Sequence, residues 1–465
     1  MAAPMTESRP DELAIPWGEH DRLVLALPPD WPPAEVVWPD LGGAIGDYPS
    51  ALERALDAPD GCPRIEAQVG PGTTVAIVVD DPSRRTPVRE ALPILLRRLH
   101  EAGVRPDDVT VSVGVGRHRA VSVEAMRRRV GGAIVDAYRC FSPPVDDPSA
   151  YLDLGEAPEG VPVRVFRPVA EAGLRILIGS VLPHLQAGFG GGYKLIFPGT
   201  SHRSTLGALH RQGLDGDAGR LLGGDAADNP MRRAIRMAAG RLGPCASLSH
   251  LLGAPGQILD VAAGHPDPVQ DRLAAGARRR FEAPDAAPAD LIVAGNHPWP
   301  GDPMQSFKVL LQHRAASRPG GALVGLFWTE AGEIDRSFPM PALRLVAASG
   351  ALGGWTIRRG VALASRVVSA LGRPAAFLLR WARELVVDRT VLIYAPPLHA
   401  RLGDRLGPIR LFADQHRLWR AAAEALGDPS RARLRIFPQA GLTYAPQRQG
   451  HPVIQDAGRL NIGIR

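Results

Sequence analysis

Seven short runs, rich in Val, Ile and Leu and fenced by glycine, proline or charged residues, constrain the fold of this chain more than anything else in it. They read VAIVVD from Val75, VTVSVGVG from Val109, LRILIGS from Leu174, LIVAG from Leu291, ALVGLFW from Ala322, TVLIYA from Thr390 and RLRIF from Arg433. Nearly continuous apolar runs of this length suit strands buried on both faces, as in parallel sheets. Helix-like segments separate them. Leu92, Leu95, Leu96 and Leu99 form a stripe closed by Gly103, with the helix starting near Glu90 so that Pro93 falls in its first turn. A second helix takes Ser122 as N-cap, Glu124 in its first turn and Gly131 at its end. Leu411, Leu418, Ala422 and Leu426 form a third stripe, ended by Gly427. The alternation implies an α/β chain.

A length of 465 residues exceeds one ordinary core, so two domains are expected. The segment 281–290, FEAPDAAPAD, lacks periodicity and is rich in Pro and Ala. The expected division is therefore a catalytic and cofactor-binding unit over 1–280, a linker at about 281–289, and a second α/β unit over 290–465. Both sheets are expected to be mainly parallel, with the active site in the cleft between the domains.

The formal charge of +6 reads as arginine spread over the chain, without a basic tail or nucleic-acid motif. Clusters such as Arg127–Arg129 and Arg278–Arg280 read as solvated helix faces, and small anionic substrates fit the balance as well as nucleic acid does. Cys62, Cys140 and Cys245 lack the paired spacing of a zinc site or a disulfide framework, which suits a reducing cytoplasm. No leader is expected at the amino terminus, and the apolar stretch from Leu345 to Leu371 is interrupted by Arg358, Arg359 and Arg366, so no span and no membrane partner are expected.

Ligands of open α/β sheets collect at the carboxyl ends of strands, which directs attention to four loops. After Val79 comes Asp80-Asp81-Pro82-Ser83-Arg84-Arg85-Thr86-Pro87, whose arginine fork suits a carboxylate or phosphate. The same residues also fit a structural role, with Asp81 or Thr86 capping the next helix. After Val113 comes His118 between Arg117 and Arg119, a setting that favours the neutral ring and its use as a base. After Ile178 the chain runs from Pro183-His184 through Gly188-Phe189-Gly190-Gly191-Gly192-Tyr193-Lys194 to Pro198-Gly199. Four glycines in five positions disfavour helix and strand and let backbone N–H groups approach a ligand. The spacing matches neither the P-loop nor the dinucleotide fingerprint, and a plain structural turn with a surface lysine remains an alternative. His202 and His210 follow on a helical stretch, each a metal ligand or a surface histidine. After Val293, Asn296 and His297 precede Gln305 and Lys308, which share a helix face and alone would read as solvated surface.

Taken together, these loops resemble the lactate racemase family, whose members use the nickel-pincer nucleotide. The resemblance runs from Ile15-Pro16-Trp17-Gly18 to Phe437-Pro438, and its most specific part is Pro183-His184, Ala187-Gly188-Phe189, Gly191-Gly192, Lys194 and Pro198-Gly199, with His210 beyond. It implies racemisation or epimerisation of a lactate-like 2-hydroxy acid. The implied cofactor is a pyridinium-3-thioamide-5-thiocarboxylic acid mononucleotide carrying nickel, which Lys194 can hold through a thioamide and His210 ligates at the metal. Gly190, Gly191, Gly192, Asp81 and Arg84 would line the cofactor, and Arg84, Gln305 and Lys308 would bind substrate. His118 and His184 would exchange protons on opposite faces while hydride passes reversibly to the cofactor, through a 2-keto acid. Proteins of cofactor biosynthesis would be transient partners. Gly190 stands where relatives often carry serine, Met304 where an aromatic is common, and Arg85 adds a charge beside Arg84; these departures bear on substrate identity. Two other readings compete: a protein that stores the nucleotide without turnover, and a conventional metal-dependent hydrolase or oxidoreductase, which would need a three-ligand protein site.

Overall fold

The computed structural model describes residues 5–8, 13–116, 120–144, 147–213, 221–298, 303–330, 332–334, 340–365 and 373–447. Two sheets organise them. The first has six strands, in the spatial order Ile258–Gly264, Cys245–Leu252, Leu174–Ser180, Val75–Asp80, Val109–Gly114 and Arg139–Phe141. All neighbours are parallel except the edge pair Cys245–Leu252 with Ile258–Gly264. One face is covered by helices Tyr48–Asp57, Val88–Glu101 and Val123–Val130, and the other by helices Arg203–Gln212 and Pro230–Ala239 with the hairpin Tyr151–Ala157/Val161–Phe166. Coverage on both faces explains why Val75–Val79 and Leu174–Ser180 are buried throughout.

The second sheet has eight strands, in the order Met5–Ser8, Ala34–Val37, Leu434–Phe437, Ala289–Gly295, Ser317–Leu326, Thr390–Tyr394, Ile409–Phe412 and Arg405–Leu406. Only its two outermost pairs are antiparallel. The mixed α/β class with mainly parallel sheets is the expected one. The segment 281–289 joins helix Pro266–Phe281 to the strand Ala289–Gly295, while Met5–Ser8 and Ala34–Val37 leave the amino-terminal part of the chain to pair beside Leu434–Phe437. The division at 281–289 stays a proposal.

Local signals located several helices. Ser122 caps Val123–Val130 by accepting from Ala125 N–H, and Gly131 closes it at φ 102°. Two details differ. The helix expected near Glu90 begins at Val88, which puts Pro93 in its second turn; Pro93 and Arg89 are both exposed, so water can serve the Arg89 carbonyl that the proline leaves without an N–H. Leu411 belongs to the strand Ile409–Phe412, and the helix behind it starts only at Gln415, capped by Asp414. The three cysteines remain separate thiols.

Candidate functional site

The parallel register of the first sheet pairs Asp80 with Gly114 and Val79 with Ile178, so the strand that ends at Ser180 reaches the same carboxyl edge. The loop after Ser180 folds back over them. A Cβ on Gly114 would stand 3.0 Å from the Leu195 carbonyl, so glycine lets the loop rest on the strand end, where Gly116 N–H donates to Gly199 O at 2.9 Å. Gly191, at φ 78°, turns the chain where a Cβ would crowd Ser180 O and Val181 at 3.0 Å. The 3-10 turn Gly192–Leu195 then presents Lys194.

One cavity of about 200 Å³ collects Asp80, Asp81, Arg84, His184, Gly190, Gly191, Lys194 and His210 with the ends of the strands. Lys194 keeps some accessible surface toward this cavity, but protein surrounds its ammonium. Burial, reinforced by Arg84, Arg232 and Lys308, lowers its pKa to about 7, so a neutral amine is available near neutrality. His184 is held neutral, well below the usual range, by burial first and then by the charges of Lys194, Lys308, Arg84 and Arg232. Its Nδ1 accepts from Ala187 N–H at 3.1 Å and Gln186 N–H at 3.3 Å, which assigns the ring proton to Nε2. His210, on the last turn of Arg203–Gln212, donates Nδ1–H to Leu206 O at 2.8 Å and so leaves Nε2 as a lone-pair donor. A backbone carbonyl behind a histidine is the usual arrangement for a metal ligand.

The Asp80–Pro87 loop is built for position. Asp80 pairs with Arg129 and accepts from Thr86 Oγ1 at 2.6 Å, while burial raises its pKa. Arg129 also donates to the carbonyls of Asp80, Arg84 and Thr86 at 3.0–3.1 Å. Asp81 shapes the turn through Ser83 N–H at 2.9 Å and lies 3.8 Å from the Arg84 guanidinium. Neither Asp81 nor Thr86 caps the following helix, whose N-cap is Pro87 with no side-chain bond, so the capping alternative falls. Arg85 departs from Arg84: it lines a separate cavity of about 630 Å³ with Arg89, Arg128 and Arg129, and approaches Glu19 at 3.9 Å. Among the described residues that larger cavity has neither histidine nor lysine on its walls.

His118 lies outside the described residues. Gln305 is in the first turn of helix Pro303–His313, and its side chain is not described. Lys308, on the same helix, is half-buried and adds its charge to the field on His184 and Lys194, so the second sheet contributes to this site. His202 is not brought in: it caps its own helix, accepting from Ser204 N–H at 3.3 Å, and packs edge-on to Tyr151. Asn296 and His297 are tied up structurally, Asn296 with Ser306 and Trp328 O, and His297 with Gln439 at 3.0 Å.

Arg232 escaped the sequence reading. From the buried face of helix Pro230–Ala239 it donates to the carbonyls of Ala187, Phe189, Gly190 and Gly191, at 3.2 Å, 3.0 Å and 3.1 Å for the first and last two, and so holds the glycine loop from behind. Asn229, the N-cap of that helix, ties Gln186 O at 2.9 Å.

Residues 22–220 match the lactate racemase N-terminal domain, a span that contains Asp81, Arg84, His184, Lys194 and His210. Over that span the chain is similar to the lactate racemase family. Relatives include the lactate racemase of Thermoanaerobacterium thermosaccharolyticum, 25% identical over 59% of this chain and 64% of that protein. The lactate racemase of Lactiplantibacillus plantarum is 32% identical over 34% of this chain and 37% of that protein. The chain thus spans less than two thirds of either curated relative in sequence. In fold the correspondence is longer: the lactate racemase apoprotein from T. thermosaccharolyticum superposes with a TM-score of 0.74 at 19% identity, covering 93% of this chain and 99% of that one. A Thermotoga maritima protein superposes with a TM-score of 0.61 at 15% identity, over 87% and 99%.

Proposed function

We propose that this chain is a lactate racemase family enzyme and that it racemises or epimerises a lactate-like 2-hydroxy acid with the nickel-pincer nucleotide. The observation that carries the proposal is the cavity that gathers Lys194, whose pKa is lowered to about 7, His210 with its Nδ1–H given to Leu206 O, neutral His184 and Arg84. These residues fit the group. Lys194 has the free amine that a thioamide requires. His210 has the imidazole nitrogen that suits nickel, and Arg84, Lys308 and the glycine-loop amides suit the phosphate or carboxylate of anionic ligands. Among the described residues no group of three His, Cys, Asp or Glu is placed to hold a metal.

When bound, the nickel-pincer nucleotide supplies reversible acceptance of hydride from the substrate carbon. The chain supplies the rest. Arg84 from one unit and Lys308 from the other hold the substrate carboxylate across the cleft, with Gln305 beside Lys308. With Nδ1 accepting from the two amides, His184 offers Nε2–H to the substrate oxygen and can protonate it; to accept the hydroxyl proton at Nε2 it must first carry its ring proton on Nδ1 and give up those amide contacts, and the surrounding cations favour return of the accepted proton. His118 is assigned the matching role on the opposite face. Enclosure between the two sheets keeps water from the keto intermediate.

The test is chiral chromatography of a single lactate enantiomer, and of a panel of other 2-hydroxy acids, after incubation with protein made in a host that synthesises the cofactor. The opposite enantiomer should appear. Retention of nickel and nucleotide with no turnover across the panel would establish the storage reading instead.

A further inference from the structure

Single exposed leucines are ordinary on protein surfaces, whereas a contiguous exposed apolar patch marks a contact. Six large hydrophobic side chains stand out as exposed among the described residues, and four of them, Leu345, Leu352, Trp355 and Leu363, fall within 19 residues. They lie on the helices Met340–Ala348 and Gly350–Ala364. The second helix is apolar on two sides. Its inward side carries Gly354, where a Cβ would stand 2.6 Å from the Gly407 carbonyl, together with half-buried Ile357 and Val361. Its outward side carries Leu352, Trp355, Arg359 and Leu363 at helical spacing, with exposures of 75%, 57% and 65% for the three hydrophobics. The Arg359 guanidinium lies over the Trp355 ring, 5.2 Å from its centroid. A helix with apolar side chains on both sides is normally covered on both.

Charge identifies the cover. From Arg336 to Arg383 the sequence has eight arginines and no Lys, Asp or Glu. That exceeds the formal +6 of the whole chain, so the basic excess is concentrated here and the remainder is slightly acidic. The next carboxylates, Glu384 and Asp388, are engaged by Arg314 and Arg383. Arg344, Arg358 and Arg359 are exposed on these two helices, so a second copy meeting this face would set arginine against arginine, which disfavours self-association. We infer that this face docks on an anionic lipid bilayer, with Leu352, Trp355 and Leu363 entering the headgroup and acyl boundary and the arginines pairing with lipid phosphates. Interfacial helices combine leucine and tryptophan with flanking arginine in this way. No helix among the described residues is long and apolar enough to cross a membrane, so the contact is peripheral. The sequence reading expected no membrane partner because no segment spans; docking requires none.

Vesicle sedimentation tests this with the full chain. Protein should pellet with vesicles of equal parts phosphatidylcholine and phosphatidylglycerol, and stay in solution with phosphatidylcholine alone. The double variant Leu352→Glu, Trp355→Glu should weaken binding at least about tenfold. Arg358→Ala and Arg359→Ala should each weaken it about fivefold, and added salt should weaken it further. These positions are exposed, and an unchanged thermal midpoint will show that the variants are folded. Equal pelleting with both vesicle types, pelleting with neither, or wild-type binding by the double variant would overturn the inference. So would light scattering that shows a dimer broken by Leu352→Glu, which would make a second copy the occupant.

Discussion

The two sheets are built alike and differ in what stands at their carboxyl ends. On the six-stranded sheet the backbone satisfies the structural needs of the loops, through Arg232 and Arg129 bonded to carbonyls, and Lys194, His184 and His210 remain turned to a cavity. On the eight-stranded sheet the comparable polar residues are consumed in stitching one loop to another, as Asn296 does with Ser306 and His297 with Gln439. Polarity at a strand end therefore does not locate chemistry. What locates it is a polar side chain whose reactive atom is left available after the loop has been held in place by other groups.

The largest expected difference between the sheets is catalytic. His184→Ala should lower racemisation about 10²–10⁴-fold while nickel stays bound, measured by turnover and metal analysis on the same sample. His297→Ala, its counterpart on the other sheet, should leave turnover within about threefold at a stability cost of about 1–3 kcal/mol, because it removes one buried hydrogen bond. Equal activity losses for the two would erase the contrast.

Support of the glycine loop ranks next. Arg232→Met strips donors from four carbonyls and should cost about 3–5 kcal/mol in chemical denaturation, with Arg232→Lys recovering part of it. Lys194→Met should move in the opposite direction. Folded Lys194 loses its proton near pH 7 and the unfolded chain near 10.5, so between these values the unfolded state binds more protons and stability rises with pH. Below about pH 7 the folded protein bears the full cost of a buried ammonium. Lys194→Met removes that cost and should raise stability near neutrality, by an amount on the order of 4 kcal/mol, while abolishing cofactor attachment. A variant less stable than wild type at pH 6 would contradict the burial of the charge.

The contribution of the second sheet is smaller. Lys308→Ala should raise KM about tenfold or more through a lost charged hydrogen bond, without changing what is attached to Lys194. Smallest is Gly190→Ser: Gly190 lacks a positive φ, and its Cβ would meet Ser180 O at 3.4 Å and Leu182 O at 3.6 Å, both ordinary contacts, so a serine should fit within about 0.5 kcal/mol.

Much of this was legible in the chain itself because the signals are local. Four glycines in five positions have few other uses, and the three strands ending at Asp80, Gly114 and Ser180 announce themselves by β-branched runs. Other features hide because their meaning is not local. Arg232 looks like any helical arginine beside Arg233, and its four acceptors lie more than 40 residues away. Ala34–Val37 pairs with residues 400 positions later, and four residues cannot encode that partner. Cys245–Leu252 reads as polar through Ser247 and Ser249, yet the two hydroxyls satisfy each other at 2.7 Å inside a fully buried strand. Lys308 reads as surface until the fold sets it against His184.

The central claim is that one sheet carries a covalently anchored, metal-bearing group at Lys194 and His210. Intact mass and nickel content, measured on wild type, Lys194→Ala and His210→Ala made in a host that synthesises the cofactor, test it most directly. The account predicts a nucleotide-sized mass increment and nickel on the wild type, loss of the increment in Lys194→Ala, and loss of nickel in His210→Ala. Wild-type protein at its unmodified mass and without nickel would contradict it.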